Sequence, residues 1–313
     1  MPAVTVESVE KLPSLGEIVG EPRVLRSVTK GRAATEGAGF PVFRGFAGLN
    51  FTQIDPFLLL DQLGPVENAP FETKGAPWHP HRGFETVSYI IDGEVAHHDS
   101  HGGGGVIYDG DTQWMTAGAG VLHDEMPTDR VYEEGGLQHS IQLWVNLPSA
   151  KKMIPPAYQA IAGPNLTLIG AANGQVLIRL IAGSLGEFSG PGSTNTPITL
   201  AHITMQPGSE VTLPWNPAFN AMAYALTGEG FAGVERAELA AHHMAYFEMG
   251  GDTITLAAHP HQTSADALDL LVLGGLPIGE PVVQYGPFVM NTEQEIRQAM
   301  TDYNNGKFGS IPD

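Results

Sequence analysis

Two pairs of potential metal ligands lie in the first half of the chain. His79 and His81 are separated by one residue, and His123 and Glu125 have the same spacing. Alternate residues of a β-strand point to the same face of the sheet, so each pair can direct two side chains at one ion. Two neighbouring strands that each carry such a pair would form a site of three imidazoles and one carboxylate.

This donor set suits a first-row transition metal. The chain contains no cysteine, which excludes disulfides, thiolate nucleophiles and zinc sites built on sulfur. Imidazole nitrogen and carboxylate oxygen are suitable ligands for Fe(II), Mn(II), Ni(II), Cu(II) and Zn(II). Four protein ligands on an octahedral ion leave open positions, as a catalytic metal requires. We therefore predict one divalent transition metal per chain.

Glu85 offers a second carboxylate close to the first histidine pair. Its odd-numbered position places it on the same face as His79 and His81 if one strand continues through all three residues. It could then coordinate the metal in place of Glu125, or orient a ligand histidine through a hydrogen bond. Residue spacing alone leaves both roles open.

Other histidine groups are weaker candidates. His97, His98 and His101 precede a run of four glycines, which predicts a solvated hairpin tip rather than a metal site. His259 and His261 repeat the H-P-H string of the first pair, but turn-forming residues follow them. No second pair like His123 and Glu125 follows in that half of the chain, so we interpret this repeat as a coincidence in a loop.

The composition indicates a globular protein with an acidic surface. The formal net charge is -19, which would repel a phosphate backbone, so we expect no direct nucleic-acid binding. No apolar run reaches the roughly 18 residues of a membrane-spanning helix, and the first residues lack the pattern of a signal peptide. The expectation is a cytoplasmic protein that does not enter a membrane.

Turn residues and short apolar stretches predict an all-β protein of two similar units. The chain has 39 glycines and 24 prolines, and its apolar stretches have the length of strands. The proline-rich segment 147–156 is interpreted as a linker between residues 1–150 and 157–275. SYIIDGEV at 88–95 is similar to AYALTGEG at 223–230, which favours two copies of one β-barrel unit.

The remaining segment, residues 276–313, is predicted to return to the first unit. Its apolar string 287–290 has no partner within the segment, so we expect it to pack on the metal-binding unit. A short helix should follow, with Thr292 as its N-cap and Glu295 as the capping-box partner. The helical spacing places one apolar stripe on Ile296, Met300 and Tyr303.

Several longer segments resemble the pirin family of the cupin superfamily. They are DPFLLLDQLG at 55–64, HPHRGFETVSYIIDG at 79–93, DTQWMTAGAGVLHDEMP at 111–127, IQLWVNLPSAKKM at 141–153 and YGPFVMNTEQEI at 285–296. The resemblance implies a bicupin, that is, two stacked antiparallel, jelly-roll-like β-barrel domains with a short C-terminal helix. One departure is Ala119, where pirins often have an arginine, which removes a positive charge near the metal.

The resemblance also implies a ligand set and two functions. Pirins bind a metal, usually Fe(II), through three histidines and one glutamate, which correspond to His79, His81, His123 and Glu125 and so favour Glu125 over Glu85. The second barrel should hold no metal, and residues 211–230 there contain no histidine. Some pirins are quercetin 2,3-dioxygenases, which implies a flavonol-like aromatic substrate and O2, with Glu125 as ligand and general base. Others regulate transcription factors or metabolic enzymes, so a non-enzymatic, iron-dependent regulatory protein is the alternative. An isomerase-type cupin is a weaker third hypothesis.

Overall fold

The computed structural model describes residues 3–312, and most of the regular secondary structure in these residues is β. No helix in this range is both long and apolar enough to cross a membrane. In the first half, the strands are β1 (Leu25–Lys30), β2 (Arg32–Glu36), β3 (Phe40–Arg44), β4 (Phe57–Asn68), β5 (Ala76–His81), β6 (Phe84–Asp92), β7 (Val95–Asp99), β8 (Gly104–Ile107), β9 (Thr112–Thr116), β10 (Val121–Pro127), β11 (Gly136–Asn146) and β12 (Ala157–Ile161).

The second half has the same character and ends in a helix. Its strands are β13 (Thr167–Ala171), β14 (Val176–Ala182), β15 (Ser184–Leu185), β16 (Phe188–Ser189), β17 (Ile198–Met205), β18 (Glu210–Pro214), β19 (Ala221–Thr227), β20 (Glu229–Ala232), β21 (Ala237–Ala240), β22 (His243–Phe247), β23 (Thr253–Ala258), β24 (Leu268–Gly275), β25 (Val283–Tyr285) and β26 (Phe288–Met290). The α-helices are α1 (Phe51–Ile54), α2 (Asp129–Glu134) and α3 (Glu293–Asn304), and single 3-10 turns occupy Val9–Lys11, Ser149–Lys151, Gly163–Asn165 and Ala172–Gly174.

The strands form two units of the same design. The first unit has a seven-stranded sheet in the order β12-β9-β6-β11-β4-β3-β2 and a four-stranded sheet in the order β5-β10-β7-β8. The second unit has a seven-stranded sheet, β1-β22-β19-β24-β17-β14-β13, and a four-stranded sheet, β18-β23-β20-β21. Neighbouring strands in all four sheets are antiparallel. The predicted all-β bicupin fold is confirmed.

The two seven-stranded sheets pack against each other through their apolar faces. Val87 and Leu143 of the first sheet share a buried cluster with Leu200 and Leu271 of the second. Side chains alternate along a strand, so the neighbours of Val87 on β6 and of Leu143 on β11, such as Ser88 and Gln142, point to the opposite face of the sheet. That opposite face of the first sheet lines the interior of the first unit, where the predicted site lies.

Two strands join the sheet of one unit although their position in the sequence would assign them to the other. β1 pairs with β22 of the second unit, although it precedes every strand of the first. β12 pairs with β9 of the first unit, although it follows the proline-rich segment 147–156. The division into residues 1–150, 157–275 and 276–313 therefore stays a prediction, since prolines mark turns and do not determine which sheet the next strand joins.

The last segment lies against the turn that follows β5. The backbone of β26 bonds to Arg82, whose carbonyl accepts a hydrogen bond of 3.0 Å from the amide of Val289. Phe288 and Ile296 belong to a buried cluster that also contacts Leu122 of β10. These contacts attach the segment to the unit that carries the histidine pairs.

The N-terminus of α3 follows the sequence prediction, but its buried face does not. Thr292 caps the helix by accepting a hydrogen bond from the amide of Glu295. The prediction that Ile296, Met300 and Tyr303 form one buried stripe was wrong, because Met300 and Tyr303 are exposed. The helix buries Ala299 and Asp302 beside Ile296 instead. Asp302 is held inward by Arg82, 2.9 Å away, an ion pair that an apolar pattern cannot reveal.

Candidate metal centre

Three of the four predicted ligands come together on two neighbouring strands. β5 carries His79 and His81, and β10 carries His123 directly opposite His79 in the antiparallel register. The potential ligand nitrogens of the three imidazoles all lie within 4.8 Å of one another. The two histidines on β5 therefore point to the same side of the strand, as their spacing in the sequence predicts.

The burial and hydrogen bonding of these histidines fit a divalent metal ion. His123 is completely buried, and its Nε2 has no hydrogen-bond partner among the described residues; the same is true of the buried Nδ1 of His81. Burial, followed by the neighbouring imidazoles, lowers the pKa of both histidines well below the usual range. The neutral form that burial favours is the form that binds a metal.

His79 is oriented by its own strand. Its Nδ1 lies 2.8 Å from the carbonyl oxygen of Pro77, so this nitrogen carries the proton and donates it to the carbonyl. The other ring nitrogen, Nε2, is then left as the lone-pair donor of the imidazole. A backbone carbonyl that fixes the tautomer of a ligand histidine is a common feature of metal sites.

Glu125 does not belong to the cluster of three histidines. Its carboxylate lies instead among three polar side chains of the large sheet: Oε1 is 2.6 Å from Ser88 Oγ and accepts a hydrogen bond from Gln113, and Oε2 accepts one of 3.2 Å from Gln142. The pairing of β10 with β5 is irregular between His123 and Glu125, but the extra residue lies on β5, and β10 pairs regularly with β7. His123 and Glu125 therefore both point into the interior of the first unit, where the hydrogen bonds to the large sheet hold the Glu125 carboxylate.

Glu85 lies away from the three histidines. It is fully buried on β6, and its Oε1 accepts hydrogen bonds of 2.7 Å from both Thr116 and Asn195. The argument from odd-numbered positions does not reach this residue, because β5 ends at His81 and the chain turns at Gly83 with φ +90 before β6 begins. No hydrogen bond joins Glu85 to a histidine among the described residues.

His97 was placed wrongly by the sequence analysis. It lies on β7 and is completely buried, not at a solvated hairpin tip, although its neighbour His98 is exposed. The Nδ1 of His97 is 3.4 Å from the Nδ1 of His123, and its ring stacks on Tyr158 of β12. Local sequence gave no signal for this burial, because the strand that covers His97 comes from beyond the proline-rich segment.

A cavity of about 720 Å³ opens beside the histidine cluster, between the two sheets of the first unit. His79, His81 and Glu125 line it, together with the aromatic rings of Trp78 and Trp144. A volume of this size is typical of small-molecule sites. The two tryptophans were not singled out from the sequence, although Trp78 precedes His79 directly.

The H-P-H string in the second half lies in a loop, as predicted. His259 and His261 follow the end of β23, and the Nδ1 of His259 bonds to the backbone of His261 2.8 Å away. His261 is exposed to solvent. Among residues 3–312, no group of three potential metal ligands includes either of these histidines.

Comparisons with known proteins agree with this architecture. The family model described as Pirin matches residues 39–145, and the model described as Pirin C-terminal cupin domain matches residues 200–309. A Pseudomonas aeruginosa protein that is named, provisionally, a quercetin 2,3-dioxygenase is 39% identical over 87% of this chain and 93% of its own length. Human pirin is 35% identical over 89% of this chain and 91% of its own length.

A solved structure shows the same likeness in three dimensions. The crystal structure of a quercetin 2,3-dioxygenase from Acinetobacter baumannii matches with a TM-score of 0.85 and 38% sequence identity, covering 93% of this chain and all of the other. Both cupin domains and nearly the whole length are thus shared with these proteins. The chain belongs to the pirin family.

Proposed function

We propose that this protein is a metal-dependent dioxygenase of the quercetin 2,3-dioxygenase type, which acts on a flavonol with O2. The observation that carries the proposal is one cavity that is lined by two histidines of the cluster, His79 and His81, and by Glu125, together with aromatic side chains. The similarity to the Acinetobacter baumannii protein that is named a quercetin 2,3-dioxygenase supports the choice of reaction. Trp78 and Trp144 line the cavity and offer aromatic surface on which a flat aromatic substrate can stack.

The residues that would hold the metal are His79, His81 and His123, with Glu125 as the carboxylate of the site. The partnerless Nε2 of His123 and the neutral state of the buried imidazoles support this donor set. Fe(II) is the first candidate, and Mn(II), Ni(II), Cu(II) and Zn(II) are compatible with nitrogen and oxygen donors. When bound, the ion supplies Lewis acidity toward the substrate oxygen and, in the case of iron, a redox centre for reaction with O2.

Glu125 is the proposed general base. A flavonol reacts with O2 after its 3-hydroxyl group loses a proton, and the carboxylate is the acceptor that the cavity offers beside the histidines. Gln113 and Gln142 hold the carboxylate from the large sheet, so it needs little rearrangement before it accepts the proton. The amide groups of these glutamines donate hydrogen bonds to the carboxylate but cannot take up its proton, so they position Glu125 and leave the role of base to it.

Oxygen uptake with quercetin tests the proposal. Iron-loaded wild type should consume O2, whereas Glu125→Gln should retain much of its iron and lose roughly 100-fold or more in turnover, the usual contribution of a general base. Glu85→Gln is the matched control, since the same change is made at a buried carboxylate outside the cavity, and it should keep its turnover if it folds. Wild type that shows no uptake with any flavonol would contradict the enzyme and favour the iron-dependent regulatory protein.

A further inference from the structure

The cavity extends well beyond the histidine cluster, to a hairpin at the edge of the large sheet. β2 and β3 form this hairpin, and β3 pairs with β4 through Phe43 and Arg44. Glu36 and Arg44 of the hairpin line the cavity together with Asp61 of β4. The hairpin therefore builds the end of the cavity at this edge of the large sheet, and we call these three residues the hairpin subsite.

One row of polar side chains connects the two ends of the cavity. In the register of the sheet, Ser88 of β6 lies beside Gln142 of β11, Gln142 beside Asp61 of β4, and Asp61 beside Arg44 of β3. All four line the cavity. Neighbouring strands are about 4.8 Å apart, so roughly 14 Å separates Ser88 from Arg44. A ligand that reaches Glu125 beside Ser88 can extend along this row to the hairpin.

In the hairpin subsite an ion pair holds Arg44 in place, and hydrogen-bond donors and acceptors remain available to a ligand. Arg44 donates to both carboxylate oxygens of Asp61, with its Nε 3.0 Å from Oδ1 and its Nη2 2.8 Å from Oδ2, and also contacts Glu36. Asp61 is almost completely buried. Within residues 3–312, Nη1 of Arg44 makes no hydrogen bond. A guanidinium held by a bidentate pair presents its remaining N–H groups in a fixed direction.

The charges of the subsite select for neutral hydroxyl groups. Two carboxylates, from Glu36 and Asp61, lie beside one guanidinium, and the whole cavity is lined by five carboxylates and only two cations, Arg44 and Lys74, so an anionic ligand group would be repelled. A hydroxyl group can donate to a carboxylate lone pair and accept from Nη1 of Arg44 at the same time. Adjacent hydroxyl groups on a ring match this alternation of acceptor and donor better than a single one.

We propose that the hairpin subsite recognises the hydroxyl groups on the outer ring of a flavonol whose reacting hydroxyl lies at Glu125. This inference rests on the proposed function for the position of the substrate. It assigns substrate selection to Arg44 and its two carboxylates, whereas Trp78 and Trp144 contribute affinity for any flat ring system.

Binding measured without turnover separates this inference from the proposed function. Iron-loaded protein is titrated under anaerobic conditions with quercetin and with a flavonol that lacks hydroxyl groups on the outer ring, and binding is followed by tryptophan fluorescence. Wild type should bind quercetin about tenfold more tightly, the effect expected for hydrogen bonds to charged groups. Arg44→Met should bind both ligands with similar affinity, and Arg32→Met, an exposed change on the partner strand of the same hairpin, should behave as wild type.

A second variant keeps the test decisive if Arg44→Met fails to fold. Arg44→Lys retains a cation beside Asp61 but loses the planar fork, so it should also lose most of the preference for quercetin. Wild-type discrimination in the folded Arg44 variants would overturn the inference and leave the dioxygenase proposal intact. Discrimination that depends on Arg44 without any oxygen uptake would support the subsite and contradict the dioxygenase. Wild type that binds neither flavonol would overturn the inference.

Discussion

The two units share one framework but fill its interior differently. In both units the edge strand of the small sheet pairs with the strand beside it, as β5 with β10 and β18 with β23. The first pair places His79 opposite His123, whereas the second places Val211 opposite Leu256 and Leu213 opposite Ile254.

This difference turns one interior into a site and the other into a core. The four aliphatic side chains of the second pair are buried in one large apolar cluster, and each stabilises its unit by about 1.5–3 kcal/mol. The first unit instead contains buried imidazole nitrogens that have no hydrogen-bond partner among residues 3–312, and a cavity of about 720 Å³. The two units therefore share one arrangement of strands, and a few side chains on two paired strands determine whether the interior forms a binding site or an apolar core.

The largest expected effect is the loss of metal from the first unit. Structural zinc sites with four protein ligands contribute about 10–16 kcal/mol, or about 2.5–4 kcal/mol for each ligand, so His123→Ala should weaken metal binding by about a hundredfold to a thousandfold. His261→Ala makes the same change in the loop of the second unit and should leave the affinity unchanged. Competition with a chelator measures both, and equal losses in the two variants would break the contrast between the units.

The second expected effect is on the apolar interior. Leu256→Ala removes a fully buried side chain and should lower the free energy of unfolding by about 2–5 kcal/mol. Leu59 lines the open cavity of the first unit and is only partly buried. Leu59→Ala should therefore lower the free energy of unfolding by less than Leu256→Ala does. Denaturant unfolding of the metal-free proteins provides the comparison. Equal costs would show that the first interior is packed as tightly as the second.

The third prediction concerns His97, which the sequence analysis misplaced. When His123 binds an ion through Nε2, its Nδ1–H can donate to the Nδ1 of His97. His97→Phe keeps the stack on Tyr158 but removes this acceptor, and should weaken metal binding by about 10-fold to 100-fold. His97→Gln retains an acceptor and should lose much less. If the two variants bind metal equally, His97 acts only through packing.

The errors of the sequence analysis have a common physical origin. Alternation along a strand was sufficient to bring His79 and His81 to one side, and the recurrence of such a pair identified the partner strand with His123. Alternation stops where a strand ends, as at Gly83 before Glu85, and it does not show which side chains will hold the Glu125 carboxylate. Both features depend on neighbouring strands, which local spacing does not describe.

Burial by distant parts of the chain was equally hidden. His97 is covered by Tyr158, which lies on a strand beyond the proline-rich segment. The buried face of α3 is set by the ion pair between Asp302 and Arg82, residues that are far apart in the sequence. Residue types and spacing therefore predicted the fold class and the histidine cluster, but not the contacts around that cluster.

The smallest expected effect is the pH dependence of the attachment of the last segment. Lys152 is buried, and its Nζ donates to the carbonyls of Gly83 and Val289 and to the Asn146 side chain. Burial lowers the pKa of Lys152 from 10.5 to about 8. Between these values the unfolded chain binds more protons than the folded one, so this residue adds stability as the pH rises.

A variant isolates that contribution from other titrating groups. Lys152→Met keeps the length of the side chain without a proton to lose. The stability of wild type relative to Lys152→Met should rise by about 1.4 kcal/mol from neutral pH to pH ~9, since pH ~9 is one unit above the folded pKa and one unit corresponds to about 1.4 kcal/mol. Unfolding in denaturant at the two pH values measures it. A difference that does not change, or that falls, would contradict a buried lysine with a lowered pKa.

The central claim is that the difference between the two interiors confines the metal to the first unit. Anomalous X-ray diffraction at the iron edge, on crystals of protein produced with iron and without a chelator, tests it most directly. The account predicts one anomalous peak per chain, in contact with His79, His81 and His123. A peak within residues 157–275, or no peak at the three histidines in iron-replete protein, would contradict it.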